Sequence, residues 1–236
     1  MSGGRGRAAA RCALAAGAWL ALAPSAHAQL AATVAASSEY RFRGVTAAEA
    51  HPSLQVLLEG DARDGWYGGA SATHVPVTRD HRYVEIGAYG GRVLAAQRDR
   101  EWQLELGAKG SHFAGDSTYD YVEAYAGLVS ARWNARTFVS PDYFGRGART
   151  VYVELNAERP LDAALRAFFH GGAIAGRGGS DSGGSRVRYD VRIGTAYARR
   201  GADLQLAWVG ATKGGPYPAV YDTRRSAFVF TAAFSF

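Results

Sequence analysis

Apolar and polar residues alternate along most of the chain with a period of two. The last stretch, 224–236, shows this most strongly: Phe228, Phe230, Phe234 and Phe236 fall on one face, and smaller residues fall on the other. Side chains of a β-strand point alternately to its two faces, so the stretch predicts a strand with one aromatic face. Similar runs recur along the chain, and they predict an all-β protein.

Twelve such runs predict about 12 strands. They lie at 31–43, 54–62, 66–75, 82–93, 101–110, 119–129, 132–140, 150–158, 163–175, 186–198, 203–209 and 224–236. The connections after odd-numbered strands are long, whereas those after even-numbered strands are mostly short. Outer-membrane barrels sort their connections in this way, with short periplasmic turns and longer external loops.

The aromatic face of the last strand favours a membrane barrel over a soluble sandwich. In water, an exposed aromatic strand at a chain end promotes aggregation, whereas in a barrel it pairs with the first strand and faces lipid. The stretch also resembles the terminal signal of bacterial outer-membrane barrels, which implies recognition of Phe228, Phe230, Phe234 and Phe236 by the barrel-assembly machinery. We therefore expect a transmembrane antiparallel up-and-down β-barrel, with the buried last strand of a soluble sandwich as the alternative.

The first 28 residues have the pattern of a secretory signal peptide. Three arginines precede an apolar run at 12–23, which is too short to span a membrane. Ala26-His27-Ala28 then supplies a small-residue cleavage site. The sequence predicts a leader at 1–28 and a barrel at 29–236, placed in the bacterial outer membrane.

Composition narrows the chemistry further. The single cysteine, Cys12, lies within the predicted leader, so we expect neither a disulfide nor thiolate chemistry in the mature protein. The whole chain has a net charge of +6; removing the three leader arginines from 27 basic residues leaves 24 against 21 acidic ones, or +3. That balance is too mild to indicate a nucleic-acid partner. No cofactor is implied.

Several short motifs resemble the TorF family of porins. Tyr40-Arg41-Phe42-Arg43-Gly44, followed by Pro52-Ser53-Leu54-Gln55, is similar to the opening strand and loop of that family. The likeness continues at 65–72, 85–91, 119–127 and 140–145, and so covers most of the predicted mature chain. The resemblance implies an outer-membrane barrel with a porin role, but it does not supply a substrate.

Charged residues on the strands are expected to point into the lumen. If Leu104 and Leu106 face lipid, Glu105 between them faces inward. By the same alternation, other charged residues are predicted to point inward and line the pore. The acidic ones are Glu85, Glu105, Glu123 and Glu154, and the basic ones are Arg41, Arg43, Arg132, Arg136, Arg186, Arg188 and Arg192. An acidic arc then faces a basic arc, so that a solute inside crosses a transverse field.

This arrangement leaves two functions open. The charges could line a path through the barrel, by which small polar solutes cross the outer membrane whose lipids surround it. Alternatively, they could pair, plug the lumen and leave a non-conducting structural barrel. We expect the porin-like channel.

An enzyme that acts on lipid is a third possibility, with His170 as base, but we expect no enzyme. Ser180, Ser182 and Ser185 lie in a glycine-rich stretch rather than in the sharp turn that presents a nucleophile. A metal site is not expected either, since His74, Asp80 and His81 belong to a loop where such residues are usually solvated.

Overall fold

A computed structural model describes residues 29–46, 51–76, 82–94, 101–115, 117–178, 187–217 and 225–236. Twelve β-strands lie within these ranges, at Gln29–Ser37 (β1), Ser53–Asp61 (β2), Trp66–Pro76 (β3), Arg82–Leu94 (β4), Trp102–Ala114 (β5), Tyr121–Ser130 (β6), Trp133–Tyr143 (β7), Ala148–Pro160 (β8), Leu165–Arg177 (β9), Val187–Arg199 (β10), Ala202–Ala211 (β11) and Ser226–Ser235 (β12). Single 3₁₀ turns occur at Arg63–Gly65 and Ser117–Tyr119. No helix in the described part of the chain is long and apolar enough to cross a membrane.

The strands form one closed antiparallel barrel in which each strand pairs with its neighbours in sequence. β1 pairs with β12 and closes the ring, with Val34 opposite Phe234. The amide of Phe236 donates to the carbonyl of Ala32 at 3.0 Å, which extends this seam to the last residue. The predicted barrel class and strand number are confirmed.

Alternation along each strand separates an interior from an outward face. On β8 the side chains of Tyr152 and Glu154 are buried, whereas Val151, Val153 and Leu155 are 44–48% exposed. On β5, Glu105 is fully buried and Leu106 is 47% exposed, as the sequence predicted. The outward face therefore carries the apolar side chains and the interior carries the charges, which is the reverse of a soluble barrel.

The first strand ends earlier than predicted, because the chain leaves the wall after Ser37. Residues 39–46, here called the inserted hairpin, enter the barrel. Phe42 and Val45 exchange backbone hydrogen bonds of 2.8 and 2.9 Å, with Arg43 and Gly44 between them at positive φ of 47° and 75°. Two central residues at positive φ are what a tight two-residue hairpin turn requires. Apolar–polar alternation continues through this hairpin, which is why the sequence predicted a longer strand.

The termini of the described barrel lie at the same end as the turns at 62–65, 131–132, 161–164 and 200–201. The inserted hairpin and the segment after β11 belong to the opposite end. One predicted long loop there is short: β7 runs to Tyr143 and β8 begins at Ala148, which leaves only the turn at 144–147. A register irregularity between Ser140 and Tyr143 accommodates the extension.

Candidate functional site in the barrel interior

Aromatic rings fill one side of the interior. They come mainly from β3 and β5–β8 and from the turn after β7, and they are Tyr67, Phe113, Tyr121, Tyr125, Phe138, Tyr143, Phe144 and Tyr152. Neighbouring rings pack tightly, with centroids 4.6 Å apart for Tyr143 and Phe144 and 4.9 Å apart for Tyr121 and Tyr143. Rings at these separations are stabilised by edge-to-face contact as well as by burial, so side chains fill this side of the lumen.

Arg43, at the tip of the inserted hairpin, is held in this aromatic side. Its guanidinium donates to both carboxylate oxygens of Glu123 on β6, at 2.9 and 2.7 Å, and to the hydroxyl of Tyr143 at 2.9 Å. The same group lies 4.0 Å from the ring centroid of Tyr152. Lys109 on β5 places a second cation 3.0 Å from Glu123. A bidentate, desolvated pair of this kind fixes the hairpin in one position.

A second ion-paired group lies on neighbouring strands. Arg136 on β7 donates to Glu105 on β5 at 2.5 Å and lies 3.9 Å from Glu154 on β8. Tyr67 also donates to Glu105, at 2.9 Å. The predicted acidic arc facing a basic arc is therefore wrong on this side of the barrel. The charges alternate around the wall and pair locally, because burial of an unpaired ion is costly.

The opposite side of the interior contains a cavity. It has a volume of about 80 Å³, enough for several waters. The inserted hairpin forms one wall, through Arg41, Arg43 and Gly44, and the barrel strands form the other. The barrel contributes mostly polar groups, among them Ser37, Ser53, Gln55, Thr73, Asn156, His170, Asp190, Arg192 and Thr231.

His170 belongs to a hydrogen-bonded network on this cavity. Its Nδ1 lies 2.5 Å from Asn156 Oδ1, and its Nε2 lies 2.7 Å from Asp190 Oδ1 and 3.1 Å from the Tyr152 hydroxyl. Both ring nitrogens are thus occupied inside the lumen, and no serine in the described part of the chain bonds to the ring. Ser180, Ser182 and Ser185 lie outside the described residues.

The predicted pore-lining residues fall into four groups. The first group points into the barrel from the strands: Glu85, Glu105, Glu123, Arg136, Glu154, Arg188 and Arg192. Arg41 and Arg43 also lie inside, but they come from the inserted hairpin rather than from β1. Arg132 was predicted wrongly, since it is exposed in the turn between β6 and β7. Arg186 lies outside the described residues.

Two of the inward arginines on β10 have partners from later segments. Arg188 is 1% exposed, donates to the carbonyl of Gly214 at 3.1 Å and stacks on Tyr217 at 5.5 Å. Arg192 donates to Gln205 on β11 at 2.8 Å. Residues 212–217, after β11, therefore pack against the barrel interior at Arg188, a contact that could not be predicted from the sequence.

The sequence reasoning also missed an interior ion pair, between Arg166 on β9 and Asp203 on β11, at 2.7 Å. Both residues lie at inward positions in the alternation of their strands, so the sequence pattern alone could have predicted that they face the interior. His74 lies on β3, and Asp80 and His81 lie outside the described residues. Within the described residues, the structure shows no group of three or more side chains that could hold a metal ion.

Two groups outside the strands have shifted acidities. Burial raises the pKa of the Tyr217 phenol, which packs against the ring of Tyr143 at 5.8 Å, so it stays neutral. Burial alone would raise the pKa of Asp120, but hydrogen bonds from His112 at 2.6 Å and from the amide of Phe113 at 2.8 Å lower it below its usual value. Asp120 therefore holds the start of β6 as a carboxylate.

Comparison with known proteins adds a family to this geometry. A family model described as "Bacterial protein of unknown function (Gcw_chp)" matches residues 21–236. The chain belongs to the Gcw_chp family. This family match does not support the assignment to the TorF family that the short motifs suggested. No curated protein sequence matches this Gcw_chp chain.

Among the solved structures that resemble this Gcw_chp barrel are three outer-membrane proteins. NanC porin is similar with a TM-score of 0.59 and 8% identity, and the alignment covers 87% of this chain and 99% of that one. KdgM porin has a TM-score of 0.54, 9% identity and the same coverage. The Acinetobacter baumannii outer membrane protein Omp33 has a TM-score of 0.51 and 10% identity, with 89% and 98% covered. At such low identity these likenesses establish the barrel fold and nothing finer.

Proposed function

We propose that this Gcw_chp protein is an outer-membrane, porin-like channel through which small hydrophilic solutes diffuse. The observation that carries the proposal is a polar cavity inside a closed barrel whose outward face is apolar. A closed barrel satisfies every backbone hydrogen bond within its ring, which allows it to span a bilayer. Its interior then offers the polar surroundings that a hydrated solute needs.

Three further features support the membrane placement. Large apolar side chains, such as Leu58, Val122 and Ile193, are 46–60% exposed on the outward face. Two of the similar structures are called porins and the third an outer membrane protein. The sequence patterns predict export by the leader 1–28, assembly through the terminal aromatic strand and kinship with TorF, and all three belong to this proposal.

The proposed path runs on the cavity side of the lumen. Arg43 and the aromatic rings pack against each other on the other side. The inserted hairpin therefore sets the narrowest point, and only small solutes pass. We expect the path to be lined by Gln55, Thr73, Arg192 and Thr231 from the barrel and by Arg41 from the hairpin.

Swelling of liposomes tests this function. The refolded protein is incorporated into liposomes, which are diluted into solutions of neutral polyols and sugars of increasing size. We expect fast entry of the smallest solutes and a sharp decline with size, because the hairpin narrows the lumen. Entry no faster than in protein-free liposomes for every solute would contradict the proposal.

A non-conducting structural barrel is the second candidate. The observation that favours it is the inserted hairpin, which lies inside the lumen and is held there by the ion pair between Arg43 and Glu123. The same swelling assay separates the two functions. An enzyme with His170 as base has less support, because that ring is bonded to Asn156 and Asp190 inside the barrel, away from the outward face where lipid would lie.

A further inference from the structure

A pair of arginines stands on the outward face at the end of the barrel opposite the termini. Arg149 on β8 and Arg177 on β9 are directly opposite each other in the strand register. Both side chains are exposed. Residues in this relation have their Cβ atoms about 4.5–5.5 Å apart, so the two positive charges are close neighbours.

This pair has no anionic partner within the described chain. No hydrogen bond or ion pair joins either guanidinium to another residue of the described ranges. Like charges directly across two strands destabilise a sheet. An external anion between them would offset that cost. A phosphate would also accept bidentate hydrogen bonds from the guanidinium groups.

The surroundings indicate which anion would bind. Next to the pair, toward the middle of the barrel, the outward face of β8 and of β10, which flanks β9, is apolar: Val151 is 45% exposed, Val187 is 37% exposed and Tyr189 is 59% exposed. The site thus combines two cations at the rim with an apolar wall beneath them. A lipid with a phosphate on its headgroup and acyl chains below matches both parts.

We propose that Arg149 and Arg177 bind the phosphate of a phosphorylated glycolipid in the outer leaflet. This inference rests on the outer-membrane placement proposed above, with the termini on the periplasmic side. It adds a lipid site on the outward wall, apart from the solute path in the lumen.

Binding of lipid A to the detergent-solubilised protein, measured by native mass spectrometry, tests the site. The test variant is Arg149→Gln with Arg177→Gln. The matched control is Arg159→Gln with Arg199→Gln, which removes two exposed arginines from β8 and β10 at the opposite end of the barrel. We expect about thirtyfold weaker binding in the test variant and no change in the control, since an arginine near an anionic membrane surface is worth roughly a factor of five.

The outcomes separate the possible anions. Lipid A stripped of its phosphates should bind the unaltered protein as weakly as intact lipid A binds the test variant. Equal binding of intact lipid A by test and control variants would overturn the site, as would its displacement by millimolar inorganic phosphate. If the double variant fails to fold, Arg149→Gln and Arg177→Gln are measured singly, each with an expected loss of about fivefold. A barrel that binds the lipid but admits no solute would refute the proposed channel and leave this site intact.

Discussion

At the scale of single residues, Leu106 tests which face of the barrel meets lipid. Leu106 lies in the middle of β5 and is 47% exposed on the outward side. Leu106→Arg places a charge in hydrocarbon, which costs about 2–4 kcal/mol near the bilayer midplane. The control is Leu30→Arg at the rim, where the cost is about 0–1 kcal/mol. Folding free energies in lipid vesicles should differ accordingly, and equal values would contradict the proposed orientation of β5.

The ion pair between Glu105 and Arg136 tests whether interior charges support folding. Glu105→Gln leaves Arg136 with Glu154 at 3.9 Å, and breaking a buried pair costs up to about 3–5 kcal/mol. We expect Glu105→Gln and Arg136→Gln each to destabilise the barrel, with a coupling energy of roughly 0.5–3 kcal/mol in the double variant. Strictly additive losses in folding free energy would show that the two charges act independently.

The direction of individual side chains could be predicted from alternation wherever the chain stays in the wall. Glu105, Glu123 and Glu154 point inward as parity required. Their ion-pair partners could not be predicted, because alternation predicts the face to which a side chain points but not the residue that it contacts. Arg43 shows this best: it reaches Glu123 from a segment that only the three-dimensional fold brings across the lumen.

At the scale of elements, Gly44 tests the role of the inserted hairpin. Its φ is +75°, and an added Cβ would lie 2.6 Å from the Cβ of Asp190 and 2.8 Å from that of Ala211. Gly44→Ala should displace the hairpin and raise the single-channel conductance. Gly147→Ala is the matched control, since its φ is +70° and no atom lies within 4 Å of the added Cβ. Equal conductance of the two variants would mean that the hairpin does not narrow the path.

The terminal strand offers a second test at this scale. Phe236 is 76% exposed, and its ring lies 4.9 Å from that of Phe234. If the assembly machinery recognises Phe236, Phe236→Ala should sharply reduce the fraction of the protein that is folded in the outer membrane, measured by heat-modifiable gel mobility. Trp66→Ala removes an exposed ring, at 54%, from β3, outside the predicted assembly signal, and should assemble normally. A similar loss in both variants would indicate a general need for aromatic surface.

Strand positions could be predicted from the sequence to within a few residues, but two element boundaries could not. β1 stops at Ser37 because the alternating residues that follow, among them Tyr40 and Phe42, find apolar partners inside the barrel instead of lipid. β7 and β8 extend into a predicted loop because a register irregularity lets them keep pairing. In both places the alternation of apolar and polar residues is as predicted. The strand boundary differs because it depends on tertiary contacts, which the alternation does not predict.

At the scale of the whole molecule, closure was predictable because an aromatic final strand needs a partner, and β1 supplies it. The shape of the lumen was not predictable. It depends on how the hairpin, the aromatic rings and the segment after β11 share the interior, and these contacts join residues far apart in sequence. The cavity that they leave forms the proposed solute path.

Single-channel current, recorded before and after addition of a negatively charged thiol reagent, tests whether solutes pass through this cavity. Gln55 lines the cavity, whereas its neighbour Val56 is 42% exposed on the outward face. The only native cysteine, Cys12, lies in the predicted leader, so Gln55→Cys and Val56→Cys each provide one thiol in the mature barrel. We expect discrete current steps from both, with the reagent changing the current only in Gln55→Cys. No current steps, or the same response at both positions, would contradict a solute path through this cavity.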